Sequence, residues 1–370
     1  MEGLKSIIYF YGTGISALIL SLTLIWASFK TARFFLKQMI LSVAAVFVAV
    51  FLYESWGFFF KPHYSRSVKY SGTFFGNEWI TGSKKNYGFG PREDTTLQCS
   101  AQCQWQDTLV YDVIYTITKG QRDVPGNNIR AKRKAYFLGC SFVFGDGLND
   151  SCTLPAYFNF ITRRQFNVQN MAFSGYGPHQ ALKLVEEKIV KNALPSDSSV
   201  AVYYFIYEHL LRAAGKMPWD VYGPHYEIEN DSLVYKGPFH SEQDFETSYF
   251  GKRIASVWQH SMLYRGFFGP QETKTDADRV AAIVVRMNHL LRTRGVKLLV
   301  IVPEKENGQK YYDAFCQSLR KNGLDLFYIA SCDNIRNKMP QQLFIKGDGH
   351  PTALFNEALA ECLAQHITGN

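Results

Sequence analysis

The hydrophobic positions form long uninterrupted runs near the N-terminus and short runs along the rest of the chain. From Ser6 to Phe29 there is no acidic or basic residue, and about 24 residues at a rise of about 1.5 Å cover the roughly 30 Å hydrocarbon core of a membrane. A second run, from Met39 to Phe60, contains only Glu54 as a charge and ends in aromatic residues typical of a membrane interface. Residues 1–62 are therefore predicted to form a two-helix transmembrane hairpin.

A cleaved signal peptide is the alternative for the first run, but its apolar stretch exceeds the usual roughly 7–15 residues and no convincing A-x-A site follows. Lys30, Arg33 and Lys37 lie between the two runs, whereas the N-terminal tail offers only Lys5 beside Glu2. The excess of positive charge in cytoplasmic loops puts the hairpin loop inside the cell and both termini outside. The sequence thus predicts a protein of the inner (cytoplasmic) membrane of a bacterium, with the following domain periplasmic or extracellular.

Residues 63–134 are predicted to form a β-rich accessory lead-in. This segment is rich in Gly, Asn, Thr and Tyr. Within it, Thr108 to Ile117 has the β-branched and aromatic enrichment of a strand. Neither an internal repeat nor a low-complexity segment is evident.

From residue 135 onward, short apolar runs alternate with helical patterns. The predicted strands are 135–139, 166–171, 200–206, 297–302 and 326–329, and the predicted helices are 154–164, 180–192, 277–294, 309–322 and 353–366. Short hydrophobic strands that alternate with helices indicate βαβ units and a parallel sheet covered on both faces. Residues 135–370 are therefore predicted to form an α/β domain.

This domain is interrupted at about residues 215–275 by a segment without clear periodicity, dense in Tyr, Trp, His and Gly. It is too long for an ordinary connection and is typical of a lid or a binding surface. Its rings, Trp219 and Trp258 among them, are amphipathic surfaces on which sugars can stack. The alternative is that these aromatic residues pack against the domain or lie on the membrane surface.

Composition adds a few limits. Forty Lys and Arg against 32 Asp and Glu give a net charge of +8, a moderate excess that does not by itself imply nucleic acid, and no nucleic-acid partner is expected. Aromatic residues at 15% suit a membrane-associated protein or a carbohydrate binder. The spacing of Cys and His predicts no metal site.

The seven cysteines are too few for a disulfide framework. Outside the reducing cytoplasm they leave two alternatives open: pairing, or burial as small apolar residues. The candidate pairs are Cys99 with Cys103, Cys140 with Cys152, and Cys316 with Cys332, which would leave Cys362 over.

Chemistry is expected where predicted strands end, because ligands of such sheets bind beyond the carboxyl ends of the strands. Ser141 follows the first strand, Gly175 follows the second, and Asp348 and His350 share one loop before the last helix. Together they supply a nucleophile, a close backbone approach, a base and a carboxylate that orients the base. Each also has a purely structural alternative: a helix cap for Ser141, a capping loop for the Asp and His, a tight turn for the glycine.

The segment Gly139-Cys140-Ser141-Phe142-Val143-Phe144-Gly145-Asp146-Gly147-Leu148 and the order of the three blocks resemble the SGNH/GDSL hydrolase superfamily, in particular a membrane-tethered bacterial branch with a GCSFxFGxGL-type motif. The resemblance covers about residue 135 to the end. It implies a three-layer α/β/α, flavodoxin-like sandwich with Ser141 as nucleophile, His350 and Asp348 as base and acid, and Gly175 in the oxyanion hole.

The chain departs from the family pattern at three places. Cys140 stands where the family's motif has Asp, and Asp348 precedes His350 by two residues rather than the commoner three. The third block lacks the family's oxyanion-hole Asn, for which Tyr207 or His209 are the candidate substitutes; otherwise the hole rests on the N–H groups of Ser141 and Gly175.

The resemblance implies a membrane-anchored serine esterase or O-acetyltransferase that needs no cofactor. Its expected substrate is a cell-envelope glycan or another acyl ester, with a membrane acyl-donor protein as a further candidate partner. The alternatives are a lipid esterase and, from a different class, a non-catalytic glycan-binding or scaffold subunit of an envelope polysaccharide assembly.

Overall fold

The computed structural model describes residues 2–60, 68–76, 86–192, 199–217, 219–240 and 270–369. The chain divides into two compact units. One contains the N-terminal helices and the other contains residues 66–240 and 272–370.

The N-terminal unit contains two long helices, α1 (Glu2–Lys30) and α2 (Phe34–Phe60), which pack against each other. Large apolar side chains point outward from both of them, for example Leu22, Trp26 and Phe35. By length and composition, Gly12–Lys30 and Phe34–Trp56 are long and apolar enough to cross a membrane. The two predicted apolar helices are therefore present, and their insertion into a membrane stays a prediction.

The second unit is built on a nine-stranded sheet, beside which stands a separate two-stranded hairpin. The strands are β1 (Val68–Ser71), β2 (Thr96–Trp105), β3 (Thr108–Thr118), β4 (Gln121–Arg122), β5 (Arg133–Leu138), β6 (Phe166–Asn170), β7 (Ser199–Tyr204), β8 (Pro224–Glu229), β9 (Ser232–Pro238), β10 (Val296–Val302) and β11 (Asp325–Tyr328). The order in the large sheet is β1-β2-β3-β4-β6-β5-β7-β10-β11.

Helices flank the parallel strands. They are α3 (Ser141–Phe144), α4 (Leu154–Ile161), α5 (Pro178–Leu184), α6 (Val190–Asn192), α7 (His209–Arg212), α8 (Lys274–Arg292), α9 (Tyr312–Lys321), α10 (Asp333–Arg336), α11 (Pro340–Leu343) and α12 (Ala353–Thr368), with a π-helical turn, Val185–Ile189, between α5 and α6. Short 3-10 turns are Thr73–Phe75, Asp150–Cys152 and Ile329–Ser331. Helix α4 packs on α12, whereas α8 packs on α5 and α9, so the helices form two groups.

The strands β6, β5, β7, β10 and β11 are parallel to one another, and this half of the sheet is the core of the unit. All residues of β7 are buried, as expected of a strand covered on both faces. Numbered along the chain, these five strands have the order 2-1-3-4-5 of flavodoxin-like folds. The α/β prediction is confirmed, and each predicted strand and helix has a counterpart within a few residues.

The strands β1 to β4 are antiparallel and continue the same sheet through the pairing of Arg122 with Asn170. Strand β3 buries Tyr111, Val113 and Tyr115 on one face in strict alternation. The region predicted as a lead-in therefore contains the antiparallel half of the main sheet.

The described part of the 215–275 segment contains the hairpin β8–β9. Its turn places Asn230 and Asp231 at φ 49° and 59°, the left-handed conformation that the tightest hairpin turns require. Sequence reasoning found no periodicity here, although the Asn-Asp pair was a usable turn signal.

The cysteines pair differently from the sequence expectation. A disulfide joins Cys332 to Cys362, with a Cα–Cα distance of 6.1 Å. Cys316 is buried and free, so the candidate pair of Cys316 with Cys332 is wrong. Cys99, Cys103, Cys140 and Cys152 are also free thiols, so the other two candidate pairs are not formed, and burial explains all but the partly exposed Cys152.

Candidate active site

Ser141 lies at the turn from β5 into α3. Gly139 precedes it at φ 153°, where a Cβ would approach Val143 Cγ2 to 2.9 Å, so glycine lets the chain turn closely against its own helix. Ser141 is the first residue of α3 and is 6% exposed. The Val143 and Phe144 N–H groups donate to the Cys140 carbonyl over 3.0 and 2.9 Å, which leaves the N–H groups of Ser141 and Phe142 as the candidates for contact with an anionic ligand.

Asp348 and His350 lie on the loop before α12. The Ile345 N–H donates to the His350 carbonyl over 2.8 Å, and the Gly349 N–H donates to the Ile345 carbonyl over 2.8 Å, so the loop is closed on itself. Nδ1 of His350 lies 2.7 Å from Oδ2 of Asp348, so a spacing of two residues does allow the carboxylate to orient the ring.

The imidazole of His350 packs against the Ser141 turn. Its ring meets that of Phe142, the residue after Ser141, edge to face, with 5.7 Å between the ring centroids. The structure therefore brings the predicted base and acid to the turn that carries the predicted nucleophile.

The charge on this pair is set by its partners. Burial by itself would raise the pKa of Asp348, but bonds from His350 and from the Tyr70 hydroxyl hold it below its ordinary value. Burial would likewise lower the pKa of His350, but the bond to Asp348 and the nearby Asp146 raise it. Asp348 is thus kept as a carboxylate, and His350 holds its proton more tightly than an ordinary histidine.

Gly175 lies in the loop after β6, at φ 81°. A Cβ there would meet Trp219 Nε1 at 3.2 Å and the Phe89 ring at 3.3 Å, so the position requires glycine twice over. Its neighbour Ser174 donates to Asp146 Oδ2 over 2.7 Å, which ties this loop to the segment after Ser141. One hydrogen bond, from the residue before Gly175 to the residue five positions after Ser141, thus links the Gly175 loop to the segment that begins at Ser141.

The two candidates for the missing oxyanion donor lie in different surroundings. His209 is fully buried, with Nδ1 at 2.8 Å from the Tyr203 hydroxyl, so it faces the interior and not the site. The hydroxyl of Tyr207 accepts from the Tyr311 N–H over 3.2 Å and lines a cleft described below. Of the two, only Tyr207 faces a surface that a substrate can reach.

Trp219, from the insertion, reaches the site. It is half exposed and its indole N–H donates to the Gly175 carbonyl over 3.4 Å. Its neighbour Asp220 is buried against His179 and Gln180, at 2.6 and 2.8 Å, and so fixes the backbone that carries the indole. Trp258, the other predicted binding residue, lies outside the described residues.

A cleft of about 730 Å³ opens beside Phe142 and Gly349, the neighbours of Ser141 and His350. Its volume is within the range of small-molecule sites. Its apolar wall consists of Phe142, Tyr204, Ile206, Tyr207, Ile329, Ile335, Leu343, Phe344 and Phe355, and its charged rim consists of Glu208, Glu304, Lys305, Glu306, Arg336 and Lys338. The site thus combines aromatic surfaces with charges of both signs.

Sequence reasoning missed two residues that touch the candidate triad. Tyr70 donates to Asp348 from a strand 278 residues away in the chain, and nothing in its local sequence signals this role. Asp146 lies 3.8 Å from His350 Nε2. Its signal was present, since it is a lone charge between two glycines in the otherwise apolar segment after Ser141.

No protein-family model matches the chain, and no curated protein matches it. Similar solved structures include a catalytic mutant of Axe2, an acetylxylan esterase from Geobacillus stearothermophilus, with 10% identity and a TM-score of 0.37 over 64% of this chain and 94% of the other. AlinE4, an SGNH-hydrolase family esterase, has 13% identity and a TM-score of 0.34 over 64% and 96%.

The salicylyl-acyltransferase SsfX3 from a tetracycline biosynthetic pathway is also similar, with 10% identity and a TM-score of 0.32 over 64% of this chain and 55% of the other. These neighbours are SGNH/GDSL-type hydrolases and an acyltransferase. With TM-scores this low the likeness carries no argument about function, which has to come from the geometry of the site.

Proposed function

We propose that this chain is a membrane-anchored, serine-dependent acyl-ester hydrolase or O-acyltransferase that acts on a cell-envelope carbohydrate. The observation that carries the proposal is the Asp348–His350 pair, bonded over 2.7 Å and packed against the residue that follows Ser141. A helix cap needs neither an imidazole nor a buried carboxylate, whereas nucleophilic catalysis needs both in this arrangement.

In the proposed reaction, Ser141 Oγ attacks the acyl carbonyl while its proton passes to His350 Nε2. The carbonyl π bond breaks to give a tetrahedral oxyanion, which the N–H groups of Ser141 and Gly175 stabilise. When the oxyanion collapses, the bond to the alcohol breaks and His350 returns the proton to the leaving oxygen. Asp348 keeps the ring in the correct tautomer and stabilises the imidazolium.

The cleft and Trp219 support a carbohydrate as the molecule bound beside the acyl group. Sugars offer apolar faces that stack on rings and hydroxyl groups that bond to charged side chains, and the cleft offers both kinds of partner. A sugar hydroxyl held here can outcompete water for the acyl-enzyme, because positioned groups reach effective molarities of roughly 10⁵ M or more. Whether water or a sugar is used decides between hydrolase and transferase.

The proposed location is the inner membrane of a bacterium, with the second unit in the periplasm. Two helices of membrane-spanning length and the positive charges between them support this orientation. The disulfide between Cys332 and Cys362 supports an oxidising compartment. A membrane protein that delivers the acyl donor is the partner this arrangement would need for transfer.

The test uses the full-length chain in detergent, a chromogenic acetate ester and candidate glycan oligomers. Ser141→Ala and His350→Ala should each reduce turnover by about 10³-fold or more, and the double variant should be hardly worse, because the two residues act as one unit. Ser331→Ala is the matched control, since Ser331 is exposed and bonds only within its own turn.

Full turnover in folded Ser141→Ala would contradict the assigned nucleophile. An inactive wild-type protein that still binds glycan would favour the non-catalytic binding subunit. Acylated glycan among the products identifies a transferase, whereas free acid alone identifies a hydrolase.

A further inference from the structure

Asp146 is a buried carboxyl group that the proposed triad does not use. It lies between Gly145 and Gly147, at φ 90° and 78°, five residues after Ser141. Its side chain is 11% exposed, and among the described residues its Oδ1 atom has no hydrogen-bond partner. A buried carboxyl oxygen without a partner is costly, so a folded chain that keeps one calls for an explanation.

The turn that carries Asp146 is held rigidly from inside. The buried guanidinium of Arg122 donates to the carbonyl groups of Phe144, Gly145 and Leu148 around it. A Cβ on Gly145 would approach Thr153 to 2.6 Å, and one on Gly147 would approach Ile345 to 2.7 Å. The backbone on both sides of Asp146 is therefore held in place, and the carboxyl group itself is held by the bond from Ser174.

Fixed in this way, Asp146 faces the side of His350 that Asp348 does not. Its Oδ2 lies 3.8 Å from His350 Nε2 and accepts a hydrogen bond from Ser174 over 2.7 Å. The two nitrogen atoms of the imidazole thus face two different carboxyl groups. The other groups that act on His350 or its two carboxyl partners are Arg212, Arg122, Tyr70, Tyr111, Tyr115 and Cys103.

We propose that Asp146 is a positioning residue whose carboxylate stabilises the protonated form of His350 during acyl transfer. This inference rests on the proposed function. Nε2 receives the Ser141 proton in the step described above, and the charge that forms there lies within 4 Å of a second carboxylate. Burial raises the pKa of Asp146, and His350, the bond from Ser174 and Arg122 each oppose that rise by favouring the carboxylate.

The contact between Asp146 and His350 stabilises the transition state but makes His350 a less available base in the resting enzyme. Because the carboxylate favours imidazolium, His350 is a neutral base only above its raised pKa. Removing the charge lowers that pKa, so more base is available at low pH, but the imidazolium of the transition state is less stable. Below the pKa of His350, the ring is protonated both before the reaction and in the transition state, so the two effects cancel and the rate is unchanged. Above that pKa, the ring is neutral before the reaction, so only the weaker stabilisation of the transition state remains and the rate falls.

The test is the pH profile of Ser141 labelling by a fluorophosphonate, which reports serine activation without knowledge of the substrate. For Asp146→Asn we expect the His350 midpoint to fall by about one pH unit. The plateau at high pH should fall about tenfold, while the labelling rate at low pH stays nearly unchanged. Ser174→Ala should show the same pattern with smaller amplitude, and the exposed Asp107→Asn is the control.

An equal loss of rate at every pH, with an unchanged midpoint, would overturn the inference, because a merely structural defect acts in that way. If Asp146→Asn does not fold, the pH profile of Ser174→Ala alone tests whether Asp146 stabilises protonated His350. A histidine-selective NMR titration of His350 in the Ser141→Ala background measures the midpoint without any activity. Absence of labelling in the wild type therefore refutes the proposed function, whereas an unshifted NMR midpoint refutes the pairing of Asp146 with His350.

Discussion

The two halves of the large sheet contribute different things to the candidate site. The parallel half supplies the groups that the proposed reaction uses: Ser141 follows β5, Gly175 follows β6, and the His350 loop precedes the helix that packs on α4. The antiparallel half supplies groups that hold them: Tyr70 from β1 bonds Asp348, and Arg122 from β4 holds the turn after Ser141. The groups of the proposed reaction and the groups that hold them thus come from opposite halves of one sheet.

The difference has a physical origin. Parallel strands end together at one edge, so loops from several strands converge there without further help. Short loops of this kind have few contacts of their own, and a side chain must reach in from elsewhere to fix them. The antiparallel strands continue the sheet beyond β6 through β4 and can do this, because their buried faces point at the same core.

The strongest way to break this comparison is to remove Arg122. Its guanidinium is fully buried, bonds Asp150 over 2.9 Å and lies 4.1 Å above the Tyr115 ring. Arg122→Met would leave that carboxylate and three carbonyl groups without their donor, at a cost of about 3–5 kcal/mol in unfolding free energy. Denaturant unfolding of the detergent-solubilised chain measures it.

Arg92→Met is the matched control, because Arg92 pairs with Asp94 at the surface and should matter little. A stability loss for Arg122→Met no larger than that of the control would mean that the turn after Ser141 holds itself. The antiparallel half would then have no supporting role at that point.

A milder substitution, at Tyr70, tests the second contact that the antiparallel half makes with the site, the bond to Asp348. Tyr70→Phe removes only the hydroxyl that donates to Asp348 Oδ1. The pKa of Asp348 should rise, the carboxylate should orient His350 less well, and kcat/KM should fall about tenfold, in keeping with about 1–1.5 kcal/mol for one hydrogen bond. Steady-state kinetics on the chromogenic ester measure the change.

The control is Tyr235→Phe, since Tyr235 lies half exposed on the hairpin β8–β9. A rise in KM alone, with kcat unchanged, would place Tyr70 in substrate binding rather than in the support of Asp348. Unchanged kinetics would show that His350 orients Asp348 sufficiently by itself.

The same two halves differ in how far their sequences predicted them. The parallel strands contain continuous apolar runs such as 298–302, which a buried strand between helix layers requires. Strand β2 buries Cys99, Ala101 and Cys103 instead, and such small residues do not produce the β-branched pattern by which strands are recognised. It was therefore missed, although it pairs along its whole length with β3.

The site shows the same division. Ser141, Asp348 and His350 could be named because each lies at a strand or helix end in a short motif of chemically distinct residues. Tyr70 could not, because its contact with Asp348 joins distant parts of the chain and depends on where β1 pairs. Nor could the sequence predict that Cys332 pairs with Cys362, since pairing depends on how α12 packs on α10.

The smallest expected effect concerns Trp219. This residue lies in the connection after β7, so the parallel half of the sheet would contribute to glycan binding as well as to the proposed reaction. Trp219→Ala should weaken glycan binding by several-fold, because a stacked ring contributes about 0.5–1.5 kcal/mol. Trp219→Phe separates two roles: it keeps a stacking ring and removes the N–H that donates to the Gly175 carbonyl.

Binding is measured by calorimetry with glycan oligomers, and turnover with the chromogenic ester. If the phenyl variant binds as the wild type and the alanine variant does not, the indole is a stacking surface. If both variants lose turnover equally and binding is unchanged, the role of Trp219 is to hold the Gly175 loop, and the glycan does not stack on its indole.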